Sequence, residues 1–412
     1  MGTAWYKKIG PATLIAAAFI GPGTVTVCTL AGVGFGYELL WALLLSMIAT
    51  IVLQEMAARL GLITGKGLAS AIRSQTQNPV LRNTALFLVF SAIIIGNSAY
   101  EAGNISGGVL GLSELIPNTA FSLTEKGKSI EGLVLVIGFI AFILLYIGTY
   151  KILEQVLIGL VLLMSISFVV TAIMTGPQLL PILKGLFVPS FPDGSLFTII
   201  ALIGTTVVPY NLFLHAALVS EKWHSANDLK WVRRDTLIAI GLGGLVSMAI
   251  LMCGAALQGM EVNSAADLGK GLEPLLGGFS KYFIAIALFA AGITSAITAP
   301  LAAAYVARGC FGWQVGLKDK RFRAVWMIVL FVGVYFALAG SSPIMIIQFA
   351  QVANGIVLPL IAIFLVWMVN KKELLNDYVN TRIQNVLGVI IVLICLMLSV
   401  RTLYKLIETW MG

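Results

Sequence analysis

The chain has 412 residues, of which 59% are hydrophobic and only 11% charged, and its mean hydropathy is +0.98. Soluble domains carry about a quarter charged residues, so a soluble globular protein is excluded and a polytopic membrane protein is left. The formal net charge of +8 raises the question of a nucleic-acid partner, which the placement of the basic residues answers below.

Hydrophobic windows of about 20 residues predict eleven spans, at residues 10–34, 38–62, 84–115, 131–149, 152–176, 194–220, 235–258, 279–308, 323–341, 343–370 and 382–407. The first runs on through Gly21-Pro22-Gly23-Thr24 without a small-residue cleavage site, so it reads as a span rather than a signal peptide. The sixth is interrupted in the same manner at Val208-Pro209-Tyr210-Asn211. In hydrocarbon a broken helix survives only where it is buried in protein or lines a watery cavity. Paired breaks at matching positions of two halves point to a solute site near the midplane of a transporter. Spans 1–5 (residues 1–176) and 6–10 (194–370) are expected to be two five-helix halves of opposite orientation, with residues 371–412 adding the eleventh helix.

With the N-terminus inside, 19 of the 26 Lys and Arg residues fall on the cytoplasmic side. This asymmetry predicts a cytoplasmic N-terminus and an external C-terminus, and it accounts for the positive charge without a nucleic acid. The expected partners are the lipid bilayer and a small solute or ion, in the cytoplasmic membrane of a prokaryote. Cys28, Cys253, Cys310 and Cys395 are scattered; they support neither a disulfide framework nor a zinc site and read as small apolar fillers. Segments 117–131 and 220–235 read as polar loops, and 260–276 is expected to include a short amphipathic helix. The runs Ala16-Ala17-Ala18, Gly241-Leu242-Gly243-Gly244 and Ala302-Ala303-Ala304 read as close-packing signals between helices.

Several stretches, in order, resemble the Nramp divalent-metal transporters. Gly10 to Ile15 and Ala18 to Thr24 are similar to the family's first span, which ends in D-P-G-N. Gly36-Tyr37, Leu39-Leu40-Trp41, Leu53-Gln54 and Ala57 to Gly61 resemble its second; Tyr150 to Glu154 its fourth-to-fifth junction; Pro209 and Asn211 to His215 its sixth, M-P-H-N-L-Y-L-H. Gln351 and Pro359 resemble residues of span 10. The resemblance implies an all-α fold of the LeuT type, a 5+5 inverted repeat with an eleventh helix and with helices 1 and 6 broken. It also implies secondary transport and no resident cofactor.

The departures fall on the chemistry. Gly21 stands where the family has its metal-binding Asp, Thr24 for its Asn, Val208 for its Met and Tyr210 for its His. A divalent ion needs oxygen and nitrogen ligands that replace its water, and a thioether biases a site toward softer metals. With carboxylate and thioether both gone, Gln351 alone does not offset dehydration of a divalent ion, and no metal ligand set is assigned. Helix N-termini at such breaks attract anionic groups, and hydroxyls of Thr24, Thr26, Thr205 and Thr206 add hydrogen-bonding capacity. The candidate solute-binding residues are Gly21, Gly23, Thr24, Thr26, Thr205, Val208, Tyr210, Asn211 and Gln351. For each threonine the competing reading is a bond back to its own helix.

An ionisable residue inside a span costs about 2.5–3.5 kcal/mol on insertion scales and is a functional candidate. Glu101, mid-span 3, resembles an acidic residue of the family's proton route, though Ser98 replaces the family's preceding aspartate. His215 has an ordinary pKa near 6.5 that suits a proton acceptor. Both are weighed as proton-coupling residues against a buried scaffold role, whereas Glu55 and Arg59, spaced i, i+4, read as a structural pair. The expected function is transport of a small anionic or zwitterionic solute, such as bicarbonate, a small carboxylate or an amino acid, with protons as the candidate coupling ion. The alternatives are a divalent-metal importer with an atypical site and a transport-inactive sensor. No H-E-x-x-H or G-x-S-x-G motif suggests an enzyme.

Overall fold

The computed structural model describes residues 20–116, 130–148, 151–339 and 342–411. Among these residues helices and their connections make up the fold, without a strand. Eight helices are long and apolar enough to cross a bilayer, and three shorter apolar ones, Pro22–Phe35, Gly132–Ile147 and Val161–Met174, take the places of spans 1, 4 and 5. Together they fall at the eleven positions expected from hydropathy. Residues 10–19 of span 1 with its alanine triplet, residues 117–129 and Tyr150 lie outside the described residues.

Local chemistry sets the helix ends. Asn78 caps span 3, Pro79–Leu115, with its side-chain oxygen accepting from the Val80 and Leu81 N–H groups, and Pro79 takes the first helical position. That position has no intrahelical N–H bond to lose. Span 2, Leu40–Thr64, ends on Gly65 at φ 61°, the left-handed conformation that glycine adopts freely. Within 260–276, Ser264 and Asp267 form a capping box at the start of the helix Ala265–Lys270. The helix Leu179–Phe187 lies between spans 5 and 6, a stretch to which the sequence assigns no element, and its nine residues contain Pro181.

The packing follows an exchange rule. Span 1 packs on span 7, Leu229–Ala255, and span 6 on span 2; span 3 packs on spans 9 and 10, and span 8, Ser280–Phe311, on spans 4 and 5. Spans 2 and 7, 3 and 8, and 4 and 9 also pack on one another. Adding five to one member of each pair and subtracting five from the other reproduces the set, as two structurally equivalent five-helix halves require. Ala302, Ala303 and Ala304 are buried, and Gly244 receives the Met47 side chain. The four cysteines are buried and free. Large apolar side chains point outward, among them Phe139, Ile173, Tyr335 and Phe349, an arrangement suited to lipid rather than water.

Glu55 and Arg59 form the expected pair at 3.0 Å, but Arg59 does more than that. It is buried, and its guanidinium also donates to the Tyr378 carbonyl and, at 2.6 Å, to Asn380 Oδ1. Arg233 of span 7 reaches the same Glu55 at 2.8 Å. Span 2 is thereby tied to span 7 and to the connection between spans 10 and 11.

Candidate functional site

The first half of span 6, Leu196–Thr206, ends at Val207, whose N–H donates to the Ile203 carbonyl at 2.8 Å. Val208 is extended, with φ −76° and ψ 119°, and Pro209 opens the second half, Pro209–Lys222. A residue before proline is driven to extended ψ, and proline fits the first position of a helix. The break expected at 208–211 is therefore corrected to Val207–Val208, with Tyr210 and Asn211 in the first helical turn. In span 1, Gly21 is extended at φ −103° and ψ −172° and caps the helix Pro22–Phe35, again with proline first. Residues 10–19, expected to form the preceding half, lie outside the described residues.

The two breaks touch. Thr24 Oγ1 lies 2.9 Å from Thr205 Oγ1, a buried hydrogen bond between residues 181 positions apart. For Thr206 the competing reading holds, since its hydroxyl donates back to the Leu202 carbonyl at 2.9 Å. Span 10, Pro343–Val369, closes against both breaks. A Cβ on Gly23 would lie 2.2 Å from Gln351 Nε2, and one on Gly204 would lie 1.9 Å from the Gln351 carbonyl oxygen. At Gly204 the neighbour is backbone, which only glycine can approach so closely, and at Gly23 it is the end of the Gln351 side chain. Gly23, Thr24, Thr205 and Gln351 come together where spans 1, 6 and 10 meet. Gly21 and Val208 are buried at the same breaks and supply no polar side chain.

Buried polar atoms concentrate on these elements. Among the described residues, Thr26 Oγ1, the Tyr210 hydroxyl, both ends of the Asn211 amide, Gln351 Oε1 and Asn354 Nδ2 are buried without a hydrogen-bond partner. Leaving a buried polar group unpaired costs about 1–3 kcal/mol, against a total stability of about 5–15 kcal/mol for a typical fold. Six such atoms are too many to leave dry, so the region is suited to polar matter, either water or a solute. The Tyr210 ring meets Tyr100 of span 3 edge-on, with centroids 5.5 Å apart. Neither Tyr100 nor Asn354 stood out in the sequence. Asn354 follows Gln351 by three residues on the same face of span 10, a spacing that marks it; an aromatic residue in an apolar span carries no such mark.

Of the two ionisable candidates, His215 lies on the second half of span 6, shortly after the break, and Glu101 lies in the middle of span 3. Glu101 follows Tyr100, is buried against Gly333 of span 9, and accepts from Asn104 Nδ2 at 3.3 Å through Oε2. Its Oε1 has no partner among the described residues. His215, one turn beyond Asn211, places Nδ1 2.8 Å from Gln54 Oε1 of span 2. An amide oxygen only accepts, so the proton sits on Nδ1 and the unpartnered Nε2 keeps a lone pair. Each group thus has one polar atom hydrogen-bonded and one without a partner among the described residues. No group of three or more His, Cys, Asp or Glu side chains gathers among the described residues, and residues 1–19 contain none of these types.

A family model described as natural resistance-associated macrophage protein-like, Nramp, matches residues 12–405. The chain belongs to the Nramp family. Its similarity to the divalent metal cation transporter MntH of Klebsiella pneumoniae (strain 342) is 30% identity over 400 residues, covering 95% of this chain and 92% of that protein. The manganese transporter of Eremococcus coleocola, solved with an aromatic bis-isothiourea substituted compound, superposes with a TM-score of 0.78 at 21% identity, over 100% of this chain and 90% of that one. MhsT in complex with L-phenylalanine gives a TM-score of 0.61 at 15% identity, over 96% and 98% of the two chains. The Nramp chain thus has the LeuT-type fold expected of it and is a membrane transport protein rather than an enzyme.

Proposed function

We propose that this Nramp chain is a secondary active transporter that moves a small anionic or zwitterionic solute by alternating access around the junction of spans 1, 6 and 10. The observation that carries the reading is the set of neutral buried groups without partners on the three elements that meet at the breaks: Thr26 on the helix Pro22–Phe35, Tyr210 and Asn211 in the first turn of Pro209–Lys222, and Gln351 on span 10. Hydroxyl and amide donors with a helix N-terminus complement a carboxylate or bicarbonate oxygen, and neither break contributes an acid to repel it. The solute is expected to set its oxygens toward the backbone at Gly23 and Thr24, with Tyr210 or Asn211 opposite. The basic-residue asymmetry supports an orientation with the N-terminus inside, and the bacterial MntH relative supports a bacterial inner membrane.

A second reading, a divalent metal cation as cargo, is favoured by the names of the MntH relative and the manganese transporter. It would require neutral oxygens to strip a doubly charged ion of its water. The two are separated by thermal-shift and proteoliposome uptake measurements on the unmodified protein with manganese, bicarbonate, small carboxylates and amino acids. A ligand of the folded state raises its stability by mass action. Stabilisation and saturable uptake of an acid or amino acid, with manganese inert, is the expected result. Saturable manganese uptake with no response to any acid would overturn it in favour of the metal.

Glu101 and His215 are proposed to carry the coupled proton. Glu101→Gln and His215→Ala are each expected to fold and to flatten the pH dependence of uptake. An unchanged pH profile in both variants would assign the two residues to the scaffold.

A further inference from the structure

Where the first turn of span 3 meets the last turn of span 8, at the end of the membrane-spanning bundle, lies a cavity of about 280 Å³. Its polar wall is Arg73, Arg82 and Asn83, and its apolar wall includes Phe87, Phe90 and Phe311. No acidic side chain lines it. Arg73 crosses the end of span 8, donating from Nη1 to the Cys310 carbonyl at 2.9 Å. Gly312, at φ 66°, makes room for this guanidinium: a Cβ there would lie 2.7 Å from Arg73 Cζ. Arg82 is half-buried; its backbone N–H donates to the Asn78 carbonyl at 2.9 Å, and its guanidinium has no ion-pair partner among the described residues. The apolar wall continues outward into the lipid-facing surface, where Phe87 is 67% exposed and Phe311 46%. Phe311 also stacks on Trp313 at 4.9 Å, the kind of aromatic placement found at membrane interfaces.

We propose that this cavity is a binding site for an anionic phospholipid, with the headgroup phosphodiester held by Arg73 and Arg82 and an acyl chain lying along Phe87 and Phe90. The charge selects the headgroup, and the continuity with the lipid-facing surface selects a lipid over a free anion. Basic pockets between spans at a membrane surface bind such headgroups, at about 1 kcal/mol per basic residue, which converts to roughly fivefold in affinity.

The test titrates the detergent-purified full chain with dioleoylphosphatidylglycerol, dioleoylphosphatidylcholine and inorganic phosphate, reading melting temperature and lipid adducts by native mass spectrometry. The glycerol lipid is expected to bind and stabilise more than the choline lipid or phosphate. Arg82→Gln should bind it about fivefold more weakly, with the choline lipid unaffected. Arg73→Gln also removes a contact at the end of span 8, so its ratio of glycerol-lipid to choline-lipid adducts is the readout, and that ratio should fall. Equal binding of the two lipids by the unmodified chain, or an unchanged ratio in both variants, would overturn the proposal. Stabilisation by phosphate equal to that by the glycerol lipid would assign the cavity to a free anion and overturn it as well.

Discussion

Gly21→Asp is expected to abolish uptake of the acidic solute while leaving the protein folded. Gly21 is extended at φ −103°, a conformation open to any L-residue, so the substitution brings charge without backbone strain. A new carboxylate about 4 Å from a bound anion, at an effective dielectric near 20, repels it by about 4 kcal/mol, roughly a thousandfold in affinity. Gly21→Ala adds bulk without charge and should impair uptake far less. Proteoliposome uptake of bicarbonate and small carboxylates by the two variants gives the comparison. If both transport as well as the parent, the cargo does not pass this turn and the anion reading fails. In the converse direction, Gly21→Asp with Thr24→Asn and Val208→Met restores a carboxylate, an amide and a thioether. That triple variant should gain manganese binding by calorimetry.

The breaks were legible because proline and glycine interrupt apolar runs that otherwise read as continuous spans. Their positions were less legible: Pro209 looks like the breaker, yet it opens a helix, and the unwound residues are Val207 and Val208 before it. Gln351 was found through its resemblance to a family residue, and its approach to Gly23 and Gly204 could not be read from positions well over a hundred apart. Tyr100 was hidden because its role lies in meeting Tyr210, a tertiary fact with no periodic signature. The helix Leu179–Phe187 was hidden by its shortness and its proline. Of the four threonines, the structure separates Thr205, paired across the breaks, from Thr206, turned back on its own helix; one residue of rotation, about 100° on a helix, decides between the two roles.

Arg59 shows the same limit on a scale that stability measurements can read. The i, i+4 spacing revealed its pairing with Glu55, but its bonds to the Tyr378 carbonyl and Asn380 Oδ1 join segments more than 300 residues apart. With its side chain 1% exposed, it is a buried cation whose donors satisfy acceptors from two parts of the fold. Removing one partner of such a buried set typically costs about 3–5 kcal/mol, because the groups left behind lose their partners without regaining water. Arg59→Ala should therefore sharply lower the melting temperature and the monodisperse fraction in detergent. Arg59→Lys keeps the charge but loses the planar fork that reaches three acceptors at once, and should fall between. Arg233 pairs with the same Glu55 from a side chain 48% exposed, where an ion pair contributes about 0–1 kcal/mol, so Arg233→Ala should melt close to the parent. The ordering Arg59→Ala, Arg59→Lys, Arg233→Ala from least to most stable follows from the burial of Arg59 against the exposure of Arg233 and from the guanidinium's fork. An Arg59→Ala protein as stable as Arg233→Ala would mean that this end of span 2 is not held by the guanidinium.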